Sequence, residues 1–162
     1  MNQIGYSSPA PALYRLEKPL PVQYPLVNRF YKQCGYRVNC GRLEQVYSLR
    51  DMHSVELHAA VRFLPQENYW LLRNLCVVTH RRGQGLARLL LGQILQLTWQ
   101  PETAVGCYCF SLGHLQTFYE SLGFQTMLPE QTPVAIAESY QRYSQHQPHL
   151  VLMGLVGRLN FS

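Results

Sequence analysis

Between Arg73 and Trp99 the sequence reads RNLCVVTHRRGQGLARLLLGQILQLTW, and this stretch restricts the fold more than any other. Leu75, Cys76, Val77 and Val78 make an apolar, β-branched run that suits a buried strand. A basic turn with two glycines follows, His80-Arg81-Arg82-Gly83-Gln84-Gly85. Leu86, Leu89, Leu90, Ile94 and Leu97 then recur at helical spacing, which predicts a deeply packed helix over residues 84–99, ended by Pro101. A strand that enters a helix through glycines gathers unpaired main-chain N–H groups at the positive end of the helix. That arrangement binds anions.

The flanking sequence predicts a mixed order of elements. Tyr14, Arg15 and Leu16 read as an edge strand, closed by the prolines at 19, 21 and 25. Leu26, Val27, Phe30 and Tyr31 predict a helix over residues 22–36 that stops near Gly35. Residues 44–50, 55–64 and 69–78 read as a three-stranded antiparallel meander, turning at residues 51–54 and 65–68. Beyond the central helix come a strand at 104–110, a helix at 114–122 closed by Gly123, a strand at 124–127, a helix at 134–143 and a strand at 149–155. The order is that of an α+β domain.

A chain of 162 residues with 47% hydrophobic content is long enough to bury a core without a metal or disulfide, and reads as a single domain over 1–162 with a loose lead-in at 1–12. The net charge of +5 comes from 12 Arg and 2 Lys against 9 acidic residues, scattered except at Arg81 and Arg82. This spread makes nucleic acid an unlikely partner and fits a small anionic ligand. Five cysteines without an export signal or a membrane-spanning apolar run suggest a cytoplasmic protein with no membrane association. Cys34 with Cys40, and His146 with His149, lack the further ligands a zinc site requires, so no metal is expected. A homodimer is compatible with the sequence.

Two phosphate-binding motifs fail at the glycine turn. A P-loop needs Gly-Lys-Ser/Thr, and no Lys is present here; a dinucleotide fold needs a third glycine where Arg88 stands. The run Arg82-Gly83-Gln84-Gly85-Leu86-Ala87 instead resembles the Arg/Gln-x-x-Gly-x-Gly/Ala loop of the GNAT superfamily of N-acetyltransferases. Phe118-Tyr119-Glu120-Ser121-Leu122-Gly123-Phe124 resembles the second motif of that family, in the right order and at the right separation. The glycines have a physical reason of their own: a pyrophosphate must approach the main chain closely, and side chains at Gly83 and Gly85 would block it or forbid the turn.

The resemblance implies a GNAT-like acyl-CoA N-acyltransferase fold, a mostly antiparallel sheet of six to seven strands flanked by helices. It implies acetyl-CoA as acyl donor, held at Arg82, Gly83, Gln84, Gly85, Leu86 and Ala87, with the pantetheine arm along Leu75, Cys76, Val77 and Val78. A main-chain N–H near Cys76 or Val77 would polarise the thioester carbonyl. Ser111 and His114 would touch the cofactor, although the Asn that the family often has in this region is absent. Tyr119 would contact CoA and protonate the departing thiolate. Many relatives carry a Glu base on the strand before the loop, whereas this strand has Arg73 and Asn74. Glu56 and His58, two residues apart on one strand face, are the preferred candidates, acting directly or through water; Glu67 and His80 lie in loops, and the equal alternative is no base at all, with water relaying the proton.

The function implied is transfer of acetyl from acetyl-CoA to a primary amine, on a small molecule or a peptide, by direct attack in a ternary complex. The alternative is a non-catalytic CoA-binding or regulatory module of the same fold. By the same resemblance, the acceptor is shaped by residues 22–42 and 125–148. Tyr24, Tyr31, Tyr36, Tyr140 and Tyr143 there suit either an aromatic pocket or core packing.

Overall fold

Strand β1 (Tyr14–Glu17) opens the computed structural model, which describes residues 13–101 and 106–161. The lead-in at 1–12 and the residues Ala104 and Val105 of an expected strand lie outside the described residues. Helix α1 (Tyr24–Gln33) follows a single 3-10 turn, and strands β2 (Gln45–Asp51), β3 (Leu57–Gln66) and β4 (Tyr69–Val77) form the meander. After the glycine turn come α2 (Leu86–Thr98), the short β5 (Trp99–Gln100) and β6 (Cys107–Leu112). Helix α3 (Gln116–Ser121), β7 (Phe124–Thr126), α4 (Val134–His146), β8 (Leu150–Leu155) and β9 (Arg158–Leu159) complete the chain. Seven strands hydrogen-bond in the order β1-β2-β3-β4-β6-β8-β7, and β5 pairs with β9 in a separate ribbon. The β4–β6 pairing is parallel, whereas β1–β2, β6–β8 and β7–β8 are antiparallel.

Two compact units divide the chain. The first comprises the residues up to Arg62 together with Asn74–Leu97, and the second Phe63–Arg73 together with the residues from Thr98. In the first unit, Tyr24, Val27, Phe30 and Tyr31 on one face of α1 are buried with Val46, Ala60 and Cys76. This is the 3.6-residue stripe of an amphipathic helix meeting a sheet. α1 ends as its sequence predicts: Gly35 takes φ +90°, and Tyr36 N–H reaches back to Tyr31 O at 2.8 Å. Asn28 Oδ1 accepts from Cys40 N–H at 2.9 Å and ties the following loop to the helix. In the second unit Leu71, Tyr108, Ile136 and Leu152 form the buried centre.

Several expectations are corrected. Helix α2 is shorter than 84–99: Trp99 has left it for β5, where it pairs with Leu159. Leu97 is 72% exposed, so the apolar repeat runs beyond the face that Leu86, Leu90, Leu91 and Ile94 bury. β3 continues through Pro65 and Gln66, which narrows the expected turn to its tip, where Glu67 takes φ +51°. Between β2 and β3, Val55 takes φ +64° in a tight turn whose Val55 N–H bonds Asp51 O at 2.9 Å. No described helix is long and apolar enough to cross a membrane.

Candidate functional site

The turn between β4 and α2 is shaped by its main chain. Gly83 (φ +77°) and Gly85 (φ +81°) both lie in the left-handed region, which side chains disfavour. A Cβ built on Gly83 would meet nothing within 4 Å, so in the protein alone backbone conformation, rather than crowding, explains that glycine. Leu89 N–H bonds back to Gly85 O at 3.0 Å. The N–H groups at the helix start have no carbonyl one turn earlier, and they lie at the positive end of α2. Arg82 Nε donates to Val77 O at 3.1 Å, which holds the guanidinium beside the turn. Gln84 is exposed, Leu86 is buried and Ala87 is half-buried.

The strand that feeds this turn contains an irregularity with no sequence signal. Asn74 takes φ +55° inside β4. Its carbonyl accepts from Tyr31 hydroxyl at 2.8 Å, and its Oδ1 accepts from Arg62 Nη1 at 2.8 Å. Arg62 also grips Glu44 through two of its nitrogens, Nε at 2.9 Å. A left-handed residue within a strand persists only when its surroundings hold it. Here one arginine and one tyrosine do so. Beyond it Leu75, Val77 and Val78 are half-buried and Cys76 is buried. Burial pushes the Cys76 thiol up to about 12, with Cys34 beside it adding to the shift. Val78 N–H bonds His58 O at 2.8 Å, so it is spent on β3.

Glu56 and His58 are brought together, with Glu56 Oε2 3.9 Å from His58 Nε2. His58 itself is buried, only 1% exposed. Its Nδ1 faces Tyr14 hydroxyl at 3.3 Å and Asp51 Oδ2 at 3.7 Å, and its ring meets that of His80 edge-on at 5.6 Å. Burial holds the imidazole pKa below its ordinary value despite the opposing Asp51 carboxylate, and Arg81 and His80 reinforce the lowering. Asp51 is held below the usual carboxylate range by the N–H of His53 and by Ser54. Glu56, by contrast, stands in the open on the wall of a cavity of about 510 Å³. Its other walls include Arg29, Phe30, Leu57, Val78 and His80.

In the second unit, Ser111 is buried with its hydroxyl donating to Leu112 O at 2.8 Å, and His114 is exposed in the 3-10 turn before α3. Tyr119 on α3 is 6% exposed, between the rings of Phe118 and Phe124 at 5.1 and 5.5 Å. Burial, with Cys109 and Cys107 nearby, raises its hydroxyl pKa far above the ordinary phenol value. The β4–β6 pairing spans three residues, Trp70 to Leu72 against Cys107 to Cys109, and both strands continue beyond it.

A family model described as an acetyltransferase (GNAT) domain matches residues 45–126, just over half of the chain. The chain belongs to the GNAT acetyltransferases. No curated protein sequence matches it. Among solved structures, this GNAT chain is similar to the ribosomal-protein-S18-alanine N-acetyltransferase of Escherichia coli, with 14% identity, a TM-score of 0.61, and 91% of this chain and 96% of that one covered. An acetyltransferase of the GNAT family from Staphylococcus aureus Mu50 aligns at 11% identity and a TM-score of 0.58, over 88% and 98% of the two chains. N-acetylglutamate synthase from Neisseria gonorrhoeae, complexed with coenzyme A and N-acetyl-glutamate, aligns at 12% identity and a TM-score of 0.59, over 90% of this chain and 35% of that one. At these identities the likeness shows the fold.

The GNAT match contains Glu56, His58, the glycine turn and Tyr119, and leaves α1 and α4 outside it. Of the five tyrosines weighed for an acceptor pocket, Tyr24 and Tyr31 are core residues. Tyr140 bonds Leu150 O at 2.8 Å, and Tyr143 lies under Arg73 at 4.0 Å from its ring centre. Tyr36 alone of the five lines a described cavity. Sequence reasoning missed Tyr14 and Asp51 around His58, the Arg62 support of Asn74, and Arg29. Tyr14 and Arg29 lie on elements distant in sequence from the residues they join, and Asp51 and Arg62 reach theirs from the neighbouring strand, which leaves no motif to find. Among the described residues, no three His, Cys, Asp or Glu side chains gather as a metal site would require.

Proposed function

We propose that this GNAT chain moves acetyl from acetyl-CoA to an amine by direct attack, with Glu56 as the base at the acceptor side. The observation that carries the reading is the 510 Å³ cavity: it places the open Glu56 carboxylate on the same wall system as Val78, the residue that leaves β4 for the glycine turn. The turn's left-handed glycines, the free N–H groups opening α2 and Arg82 suit a pyrophosphate, so the residues present fit the CoA group. Acetyl-CoA supplies the thioester whose acyl carbon is transferred.

Main-chain alternation selects the donor that would polarise the thioester carbonyl. Val78 N–H points to β3, so Val77 N–H, one residue earlier, points to the opposite side. Glu56 takes the proton that an ammonium must lose before its nitrogen can attack. His58, buried and neutral, stands behind Glu56 to receive that proton, and its imidazolium would lie between Glu56 and Asp51. As the new N–C bond forms and the C–S bond breaks, the nitrogen loses its second proton to the Glu56 carboxylate, which His58 has emptied, while Tyr119 gives its proton to the departing thiolate and regains one from solvent.

Calorimetric titration with CoA, together with CoA release from acetyl-CoA over a panel of amines, tests this. Binding with turnover on at least one amine is expected, with turnover lowered about 100-fold in Glu56→Gln. Tight CoA binding without turnover on any amine would replace the enzyme by a CoA-binding module, and absence of CoA binding would remove both.

A further inference from the structure

We infer that the acceptor amine also carries an anionic group, held by Arg29, so that the cavity selects a small zwitterionic amine. This rests on the acetyl-transfer reading above and adds the substrate class to it. Between Glu17 and Glu44 the sequence has five basic residues, Lys18, Arg29, Lys32, Arg37 and Arg42, and no acidic one. α1 and the loop after it therefore present cations without internal compensation. Arg29 lies on the wall of the 510 Å³ cavity and also of a neighbouring cavity of about 550 Å³, where Lys32, Tyr36 and Arg37 join it.

Of the other arginines nearby, Arg50 and Arg62 are already occupied, and Arg81 does not line this cavity. Arg50, on the same wall as Glu56, donates to Glu17 Oε1 at 2.6 Å and to Val55 O at 2.6 Å. Arg62 is committed to Glu44 and Asn74. Arg29, Lys32 and Arg37 make no hydrogen bond or ion pair among the described residues. The cavity thus offers one carboxylate to an ammonium, Glu56, and one uncommitted guanidinium to an anion, Arg29, with Leu26, Phe30, Leu57 and Val78 forming an apolar surface. An uncompensated guanidinium at a cavity wall suits a planar or tetrahedral oxyanion, to which it can donate two parallel hydrogen bonds. The volume suits a molecule of amino-acid to dipeptide size. Carboxylate and phosphate share this chemistry, and the choice of amines separates them.

The full chain is assayed for CoA release with matched pairs: leucine against 3-methylbutylamine, and phosphoethanolamine against ethanolamine. The anionic member of at least one pair is expected to have kcat/KM higher by about tenfold or more, the scale of a charge-assisted pair. The pair that shows it identifies carboxylate or phosphate. Arg29→Glu should lower that ratio at least about tenfold or invert it, and Arg29→Lys should restore part of it. The same preference is read without turnover by saturation-transfer NMR of each amine on CoA-loaded protein. Neutral amines equal to or better than their anionic partners in both readouts, or an Arg29→Glu chain with an unchanged ratio, would overturn the inference. Loss of the parent reading looks different: the wild-type chain would fail to bind CoA, or would release none with any amine, whatever the NMR preference.

Discussion

The turn at Gly83 and Gly85 presents main chain to its ligand, whereas the cavity around Arg29 and Glu56 is made of side chains from α1, the β2–β3 turn and the end of β4. The first depends on two backbone conformations and a helix end, and almost any side chain could stand at Gln84. The second depends on which charges happen to face one another. A main-chain cradle is hard to alter, because few of its side chains take part in it. A side-chain cavity can change its preference with one substitution at Arg29. On the proposed reading, in which the turn holds the donor and the cavity the acceptor, the two recognitions are separable by mutation.

The sharpest way to break that separation is at the support both regions share. Arg62→Ala leaves the nearly buried Glu44 without its partner and Asn74 without one of its two holds. A loss of about 3–5 kcal/mol is expected in urea unfolding, the cost of orphaning a buried charge. Next, the pair Gly83→Val and Gly85→Val forces two β-branched residues into left-handed conformations, at about 1–2 kcal/mol each. CoA affinity measured by calorimetry should fall by a corresponding factor. Glu56→Gln tests the other side: kcat should drop by about 100-fold, the usual scale of a general base, while CoA affinity is kept. Equal losses of both would mean that the two regions do not act separately.

The smallest effect concerns pH. Burial lowers the His58 pKa from 6.5, so the unfolded chain binds a proton more readily than the folded one just below that value. The stability contributed by neutral His58 is therefore complete above pH 6.5 and is lost as pH falls through the folded pKa. Asp51, also lowered, contributes in a separate window beginning below its own ordinary value of 3.8. Thermal unfolding of the wild type and of His58→Gln across pH 5 to 7 should differ in slope, with the variant flatter.

The glycine turn was legible because its chemistry is local: a strand, two glycines and a leucine repeat in one continuous run. The four helices were legible for the same reason, from stripes such as Val27, Phe30 and Tyr31. His58 shows where local reading stops. It does approach Glu56, at 3.9 Å, but Glu56 precedes β3 rather than sharing its face, since the strand begins at Leu57 and not at residue 55, and the spacing did not reveal the burial of His58. Residues 58–61 are all buried, so β3 lacks the alternation that marks a half-exposed strand. The ribbon of β5 and β9 has only two residues in each strand, too few for any period. Its cause is tertiary: a Cβ on Gly157 would lie 2.0 Å from the Trp99 ring, so the tryptophan closes on a glycine far along the chain. Asn74 is similarly silent, because an asparagine in a strand does not announce a left-handed turn of the backbone.

Val55 is a β-branched residue at φ +64°, 63% exposed on the rim of the cavity proposed for the acceptor. Most proteins would place Gly or Asn in such a conformation, and Val55→Gly or Val55→Asn should raise the melting temperature by relieving it. The rim is therefore spring-loaded: its hydrogen bonds hold a conformation that its own side chain resists, and amide exchange there should be among the fastest in the first unit. A mouth that opened more readily than the wall behind it would admit a charged molecule without exposing His58, which is 1% exposed behind that wall.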